Sequence, residues 1–208
     1  AGSALILGDA VIYDLGRFVA LNKKTGDLIW KTEDYGSAYS SPIAFEHKGE
    51  TYLASLPAYG LVIVNAKDGQ EIAKYQWETR FGINPTTPIV SGNQIFISSG
   101  YGKGGAAMEL KNSKLEEKWK NTNMRNHMNS SVLWNGYLYG FDESTLKCVD
   151  FSDGSVMWSQ NGLGKGSLML ADQKLIILSE RGQLVIAEVS PESYQEISRA
   201  QVIGNKCW

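Results

Sequence analysis

Apolar residues in this chain come in short runs alternating with polar positions, and nearly every run closes on a turn signal. "LILGDAVIY", "AFEHKGETYLA", "IVSGNQIFI", "VLWNGYLYG" and "LMLADQKLIIL" each set two apolar-rich runs around Gly-Asp, Lys-Gly, Gly-Asn, Asn-Gly or Ala-Asp-Gln. Glycine and asparagine supply the positive φ that tight hairpin turns demand. Each stretch therefore predicts a β-hairpin, and almost no segment keeps the 3.6-residue spacing of a helix.

A second pattern follows each hairpin. "LNKKTGDLIW" from Leu21 recurs as "VNAKDGQEIA" from Val64, "LKNSKLEEKW" from Leu110 and "VDFSDGSVMW" from Val149. A looser copy, "AEVSPESYQEI" from Ala187 to Ile197, carries one extra residue. The copies are spaced by 43, 46, 39 and 38 residues, and three end in Trp30, Trp119 and Trp158. Short loops such as "YDLGRF", "LPAYGL", "SGYGKGG", "FDESTL" and "SERGQL" join hairpin to decapeptide. Each unit thus reads as four strands in about 40 residues, the period of a β-propeller blade.

The fold predicted is all-β, with four-stranded antiparallel blades over approximately 3–34, 40–77, 85–120, 128–160 and 165–200. The whole chain, 1–208, reads as one propeller domain, and "NKCW" at 205–208 reads as the start of a further blade. In this scheme the apolar start of each decapeptide packs between blades. Gly26, Gly69 and Gly154 make its turn, and Trp30, Trp119 and Trp158 lie in the blade seams. Repeats of this kind bury their faces only by stacking.

Composition narrows the classes. The chain has 208 residues, 43% hydrophobic, with 22 glycines and a net charge of -2. That balance gives no electrostatic footprint for nucleic acid. The longest apolar runs are strand-sized, so neither a transmembrane helix nor a leader peptide is expected in this chain. Cys148 and Cys207 lie far apart in sequence, form neither a zinc motif nor a disulfide framework, and read as two small buried hydrophobes.

The motif Ala20-Leu21, Thr25-Gly26 and Trp30 resembles the pyrroloquinoline-quinone (PQQ) repeat of quinoprotein alcohol dehydrogenases and of BamB-like assembly lipoproteins. "NPTTPIVSGNQIFISSGYGKG", "NSSVLWNGYLYGF" and "GLGKGSLMLADQKLIILSERGQL" are more similar still to the PQQ-like propeller proteins of planctomycete-type bacteria. The resemblance covers essentially the whole chain. It implies a seven- or eight-bladed ring, so five blades are expected to be part of a larger one. The remaining blades would come from the same or another chain; the alternative is that the last residues pair into the first blade. It also implies a periplasmic or secreted, bacterial setting.

The resemblance implies, for true dehydrogenases, a flat tricarboxylate quinone held by cations, a tryptophan floor, a calcium site and a stacked vicinal disulfide. This sequence has no Cys-Cys pair, and its tryptophans fall at repeat corners. No cofactor, metal site or catalytic residue is therefore expected, with PQQ and calcium as the alternative. "GYGKGG" at 100–105 matches a dinucleotide pattern but precedes a strand rather than a helix. "GLGKGS" has Ser159 and Gly166 where a phosphate loop needs glycine and Ser or Thr.

His47 sits in a hairpin turn, whereas His127 precedes the inner strand of the fourth blade beside Arg125 and Asn126. Arg80 and Lys165 hold comparable positions before the third and fifth blades. Together these five residues predict a polar, partly cationic rim at one end of the channel; the competing reading has them satisfying backbone groups where blades meet. The expected function is a non-catalytic, extracytoplasmic scaffold that binds a protein or ligand. The alternative is part of a PQQ-dependent alcohol dehydrogenase-like oxidoreductase.

Overall fold

The computed structural model describes residues 2–207, and every regular element among them is a strand. The first sheet comprises β1 (Leu5–Leu7), β2 (Ala10–Asp14), β3 (Phe18–Asn22) and β4 (Leu28–Lys31). The second holds β5 (Ile43–His47), β6 (Glu50–Ser55), β7 (Gly60–Asn65) and β8 (Glu71–Gln76). The third has β9 (Ile89–Ser91), β10 (Gln94–Ser99), β11 (Gly104–Lys111) and β12 (Lys114–Asn121). The fourth has β13 (Val132–Trp134), β14 (Tyr137–Asp142), β15 (Thr145–Asp150) and β16 (Val156–Gln160). The fifth has β17 (Ser167–Ala171), β18 (Lys174–Leu178), β19 (Gln183–Glu188) and β20 (Glu196–Gln201).

In all five sheets chain order is also spatial order, the antiparallel meander of a propeller blade. Turn chemistry explains this. Asn135 and Gly136 take φ of 47° and 84°, and Lys48 and Gly49 take 52° and 81°, the left-handed pairs that twist with the strands they join. Residues 205–207 form no strand, and Trp208, the last residue of the expected further blade, lies outside the described residues.

The chain divides into two compact units. One contains residues up to 97 with 108–117; the other contains 98–107 and the residues from 118 onward. In the first unit, direct pairing aligns Leu5, Ile12, Ala20 and Trp30 in one cross-strand row and Ile6, Val11, Leu21 and Leu28 in the next. Successive residues point to opposite faces. The first row therefore enters a core with Leu53, Val62 and Val64 of the second sheet. In the second unit, Tyr139, Leu146, Cys148 and Trp158 pack on Leu175, Ile177 and Val185. Burial pushes the Cys148 thiol up to about 11, although Tyr139 pulls against it. Cys207 is only half-buried, because it lies on an irregular segment rather than in a core as expected.

One register detail corrects the sequence alignment of the repeats. A one-residue irregularity follows Ala20, Ile63, Cys148 and Ile186, whose partners are Trp30, Ala73, Trp158 and Ser198. Ser198, not Ile197, therefore stands at the tryptophan position of the fifth sheet. The β19–β20 turn has two extra residues rather than one, and a slip of one moves a side chain to the other face.

The tryptophans act as seam residues. Trp30 Nε1–H donates to the Ala66 carbonyl (3.2 Å), Trp119 to Phe151 (2.8 Å) and Trp158 to Ser190 (2.8 Å). A Cβ on Gly69 would lie 2.6 Å from the Trp30 ring, and one on Gly154 would lie 2.6 Å from Trp119. Both glycines are needed twice over, for a φ of +75° and for the ring lying against them. Gly26 has the same conformation, φ +78°, yet nothing lies within 4 Å of its Cβ position among the described residues. Gly26→Ala should therefore cost only the left-handed strain, about 1 kcal/mol. Gly69→Ala adds a clash with Trp30 and should cost about 3 kcal/mol. Urea unfolding of the two variants measures the difference, and equal losses would contradict it.

Candidate functional site

Four connections meet at one end of the second unit: 100–103 after β10, 122–131 before β13, 143–144 after β14 and 161–166 before β17. The first of them places Tyr101 at φ 54°, with its backbone N–H donating to Glu143 Oε1 (3.1 Å). Gly100 lets this turn close on the next loop, since a Cβ there would lie 2.9 Å from His127.

Asn126 is a buried staple. Its amide donates to the Phe141 carbonyl (3.0 Å), its oxygen accepts from Ser131 Oγ (2.9 Å), and its backbone N–H donates to Ser98 Oγ (2.9 Å). That is the backbone-satisfying role, because an unpaired polar group here would cost about 1–3 kcal/mol. Arg125 forks onto Asp142, with Nε–Oδ1 at 2.6 Å and Nη2–Oδ2 at 2.9 Å. Lys147 Nζ reaches the same carboxylate at 2.5 Å and the Asn123 carbonyl at 3.1 Å. Burial by itself raises the Asp142 pKa, but the two cations outweigh it and hold the carboxyl below its ordinary value.

His127 is nearly buried, with its ring edge-on to Tyr101 at 4.3 Å between centroids. Its Nδ1 lies 2.8 Å from Glu143 Oε2 and 2.8 Å from Lys165 Nζ, and Lys165 also pairs with Glu143 at 3.5 Å. One ring nitrogen serves one of these neighbours, not both. Either tautomer leaves Nε2 buried without a partner among the described residues. Lys165 is anchored further by its backbone N–H, 3.3 Å from Glu180 Oε2. Glu180 in turn pairs with Lys206 at 2.9 Å and helps line a cleft of about 440 Å³ with Arg181, Asn205 and Lys206.

Of the five rim residues expected from sequence, the fold brings Arg125, Asn126, His127 and Lys165 into this one cluster. Arg80 belongs to the other unit, where its guanidinium stands 5.3 Å from the Phe81 ring centroid. Sequence reasoning missed Asp142, Glu143, Lys147 and Tyr101. Their only signal was an acidic pair in "FDESTLK" and a glycine-flanked tyrosine, neither adjacent in sequence to His127. Tyr101 and Met128 flank His127 as exposed apolar side chains, 49% and 41% exposed. No cluster of three or more His, Cys, Asp or Glu with metal-holding geometry occurs among the described residues.

A family model described as outer membrane protein assembly factor BamB matches residues 3–160. No curated protein matches the sequence. Among solved structures, BamB from Moraxella catarrhalis is similar with a TM-score of 0.75 at 14% identity, over 97% of this chain and 64% of its own. Quinohemoprotein alcohol dehydrogenase from Comamonas testosteroni gives 0.67 at 12% identity, over 97% of this chain and 43% of its own. The Myceliophteria thermophila Cps50 (Swd1) β-propeller domain gives 0.65 at 11%, over 96% and 74%. The chain therefore spans less than two-thirds of that BamB and under half of that dehydrogenase, and at such identities the likeness is one of fold.

Proposed function

This chain belongs to the BamB family of PQQ-repeat propellers, and on that premise we propose that it is a non-catalytic scaffold outside the cytoplasm that binds a protein partner. The observation that carries the reading is the anchoring of exposed Tyr101 on His127 and Glu143, with exposed Met128 next to His127 in the chain. An exposed aromatic and a methionine, ringed by charge, are the composition of a protein-binding patch. Tyr101 is held by its backbone on Glu143 and by its ring on His127, so little side-chain entropy is lost on binding. No described helix is long and apolar enough to cross a membrane.

The residues of this cluster do not fit a quinone tricarboxylate. Arg125 and Lys147 are committed to Asp142, and Lys165 to Glu143 and His127. We accordingly propose no cofactor. A photo-crosslinking residue at position 101 or 128 should give a discrete protein adduct in cells, and one at Lys114, on the β11–β12 hairpin, should not. The reading fails if position 101 yields no adduct beyond the Lys114 background. It fails equally if added PQQ and calcium stay bound through gel filtration and support dye-linked alcohol oxidation.

A further inference from the structure

The ring nitrogen of His127 that faces Glu143 and Lys165 has two partners that exclude one another. Nδ1 lies 2.8 Å from Glu143 Oε2 and 2.8 Å from Lys165 Nζ, while those two groups are 3.5 Å apart. A carboxylate oxygen only accepts, and an ammonium only donates. Nδ1 therefore bonds Glu143 when it carries a proton and Lys165 when it does not. The opposite nitrogen, Nε2, is buried without a partner among the described residues, so no bond on that side fixes the tautomer.

A second proton on this ring acts on its two neighbours in opposite ways. A neutral imidazole can keep the Lys165 ammonium at its side. An imidazolium cannot, because Nδ1 then has no lone pair and two positive charges would stand 2.8 Å apart. Glu143 instead gains a charge-assisted bond. It is also the less mobile of the two, since its Oε1 accepts from the Tyr101 N–H (3.1 Å) and its side chain is 25% exposed against 34% for Lys165. The Lys165 backbone is held on Glu180, so its four-carbon stem is what can move. The other charged groups at this end are engaged. Arg125, whose field reaches Glu143, pairs with Asp142 as Lys147 does, and Glu180 pairs with Lys206. Tyr101 meets the ring edge-on and brings no charge.

We propose that His127 is a proton-operated switch of the charge beside Tyr101: its protonation gives the Nδ1 bond to Glu143 and turns the Lys165 ammonium out into solvent. This regulates the binding surface of the proposed scaffold, and it rests on that reading for what is regulated. With His127 neutral, Glu143 and Lys165 balance one another. With His127 protonated, the cluster carries one net positive charge and a released ammonium. An approaching partner thus meets a charge-balanced cluster in one state and a cationic one in the other, and charge of this kind sets encounter rate and partner choice.

The test is an NMR titration of the purified chain, with isotope-labelled histidine and lysine side chains, between about pH 5 and 8. The Lys165 ε-methylene signal should move with the same midpoint as the His127 ring, and in His127→Gln it should stay flat. The ring's midpoint should rise by about one pH unit in Lys165→Gln and fall by about one in Glu143→Gln, as removal of a cation or an anion beside it requires. Lys165→Gln, at a partly exposed side chain, keeps the test readable should Glu143→Gln fail to fold by far-UV circular dichroism. A ring that stays in one state across this range overturns the proposal. So does a Lys165 signal that ignores the ring, or a midpoint that Lys165→Gln leaves in place. No partner enters these spectra, so they fail separately from crosslinking at position 101. A flat Lys165 signal removes the switch while an adduct still stands, and a missing adduct removes the binding reading while the coupled titration still stands.

Discussion

Trp158→Ala is expected to lower the unfolding free energy by about 4 kcal/mol, read as a shift in the urea midpoint by far-UV circular dichroism. Trp158 is 9% exposed, packs on Tyr139 and Tyr194 at 6.0 and 5.9 Å between centroids, and bonds the Ser190 carbonyl at 2.8 Å. Truncation removes the largest side chain of that seam and leaves a cavity between two sheets that relax only in part. It also strands a carbonyl. Trp158→Phe keeps most of the aromatic area and loses the indole N–H, so it should cost about 1–2 kcal/mol. If alanine and phenylalanine proved equally mild, the seam would not depend on this ring.

Asp142→Asn is expected to cost about 3 kcal/mol at neutral pH, because it leaves Lys147 and Arg125 without their shared carboxylate. The figure sits at the low end for a broken ion pair because Arg125 is 35% exposed and water screens part of the loss. The pH dependence supplies a sharper test. A carboxyl held below its ordinary value contributes stability that is complete above the unfolded pKa, about 3.9 for aspartate. That contribution disappears as pH falls through the folded value, which is lower. The gap between the original chain and Asp142→Asn should therefore be full at neutral pH and shrink below about pH 4. Asp14 works in the opposite sense: burial raises it, against bonds from Ser55 and Gly16, so its contribution is greatest in acid and fades as pH rises. Its effect is common to both proteins and cancels in the difference. A gap constant down to acid pH would show that the salt bridges contribute nothing to stability.

The five sheets were legible because every signal that specifies them is local. Hairpin turns such as Asn135-Gly136 need left-handed residues, strands need period-two patterning, and the decapeptide recurs where each sheet turns to its last strand. Trp30, Trp119 and Trp158 announced the seams, since a large aromatic at a repeat corner has no other place to bury its area. The fifth repeat went astray by one residue because a turn of altered length breaks the alignment where sequence similarity is weakest.

The polar end of the second unit is a different matter. His127 stood out as a histidine before an inner strand, but nothing in "MRNHMNSS" names Glu143, Lys165 or Tyr101 as its neighbours. Those groups arrive from three other connections, and only sheet packing brings them within 4.3 Å or less. The same holds for Asp142, whose low pKa depends on two cations that strand pairing and loop folding place around it.

The sequence by itself determined the repeat, its turns, its strand faces and the tryptophans that join one sheet to the next, because periodicity and turn stereochemistry act over a few residues. Tertiary structure alone decided which carboxylate meets which cation, that Ser198 rather than Ile197 stands at the seam position, and that the Gly26 turn is open where its equivalents carry a ring. Those outcomes depend on which surfaces meet, and contacts between residues dozens of positions apart are fixed only when the sheets pack.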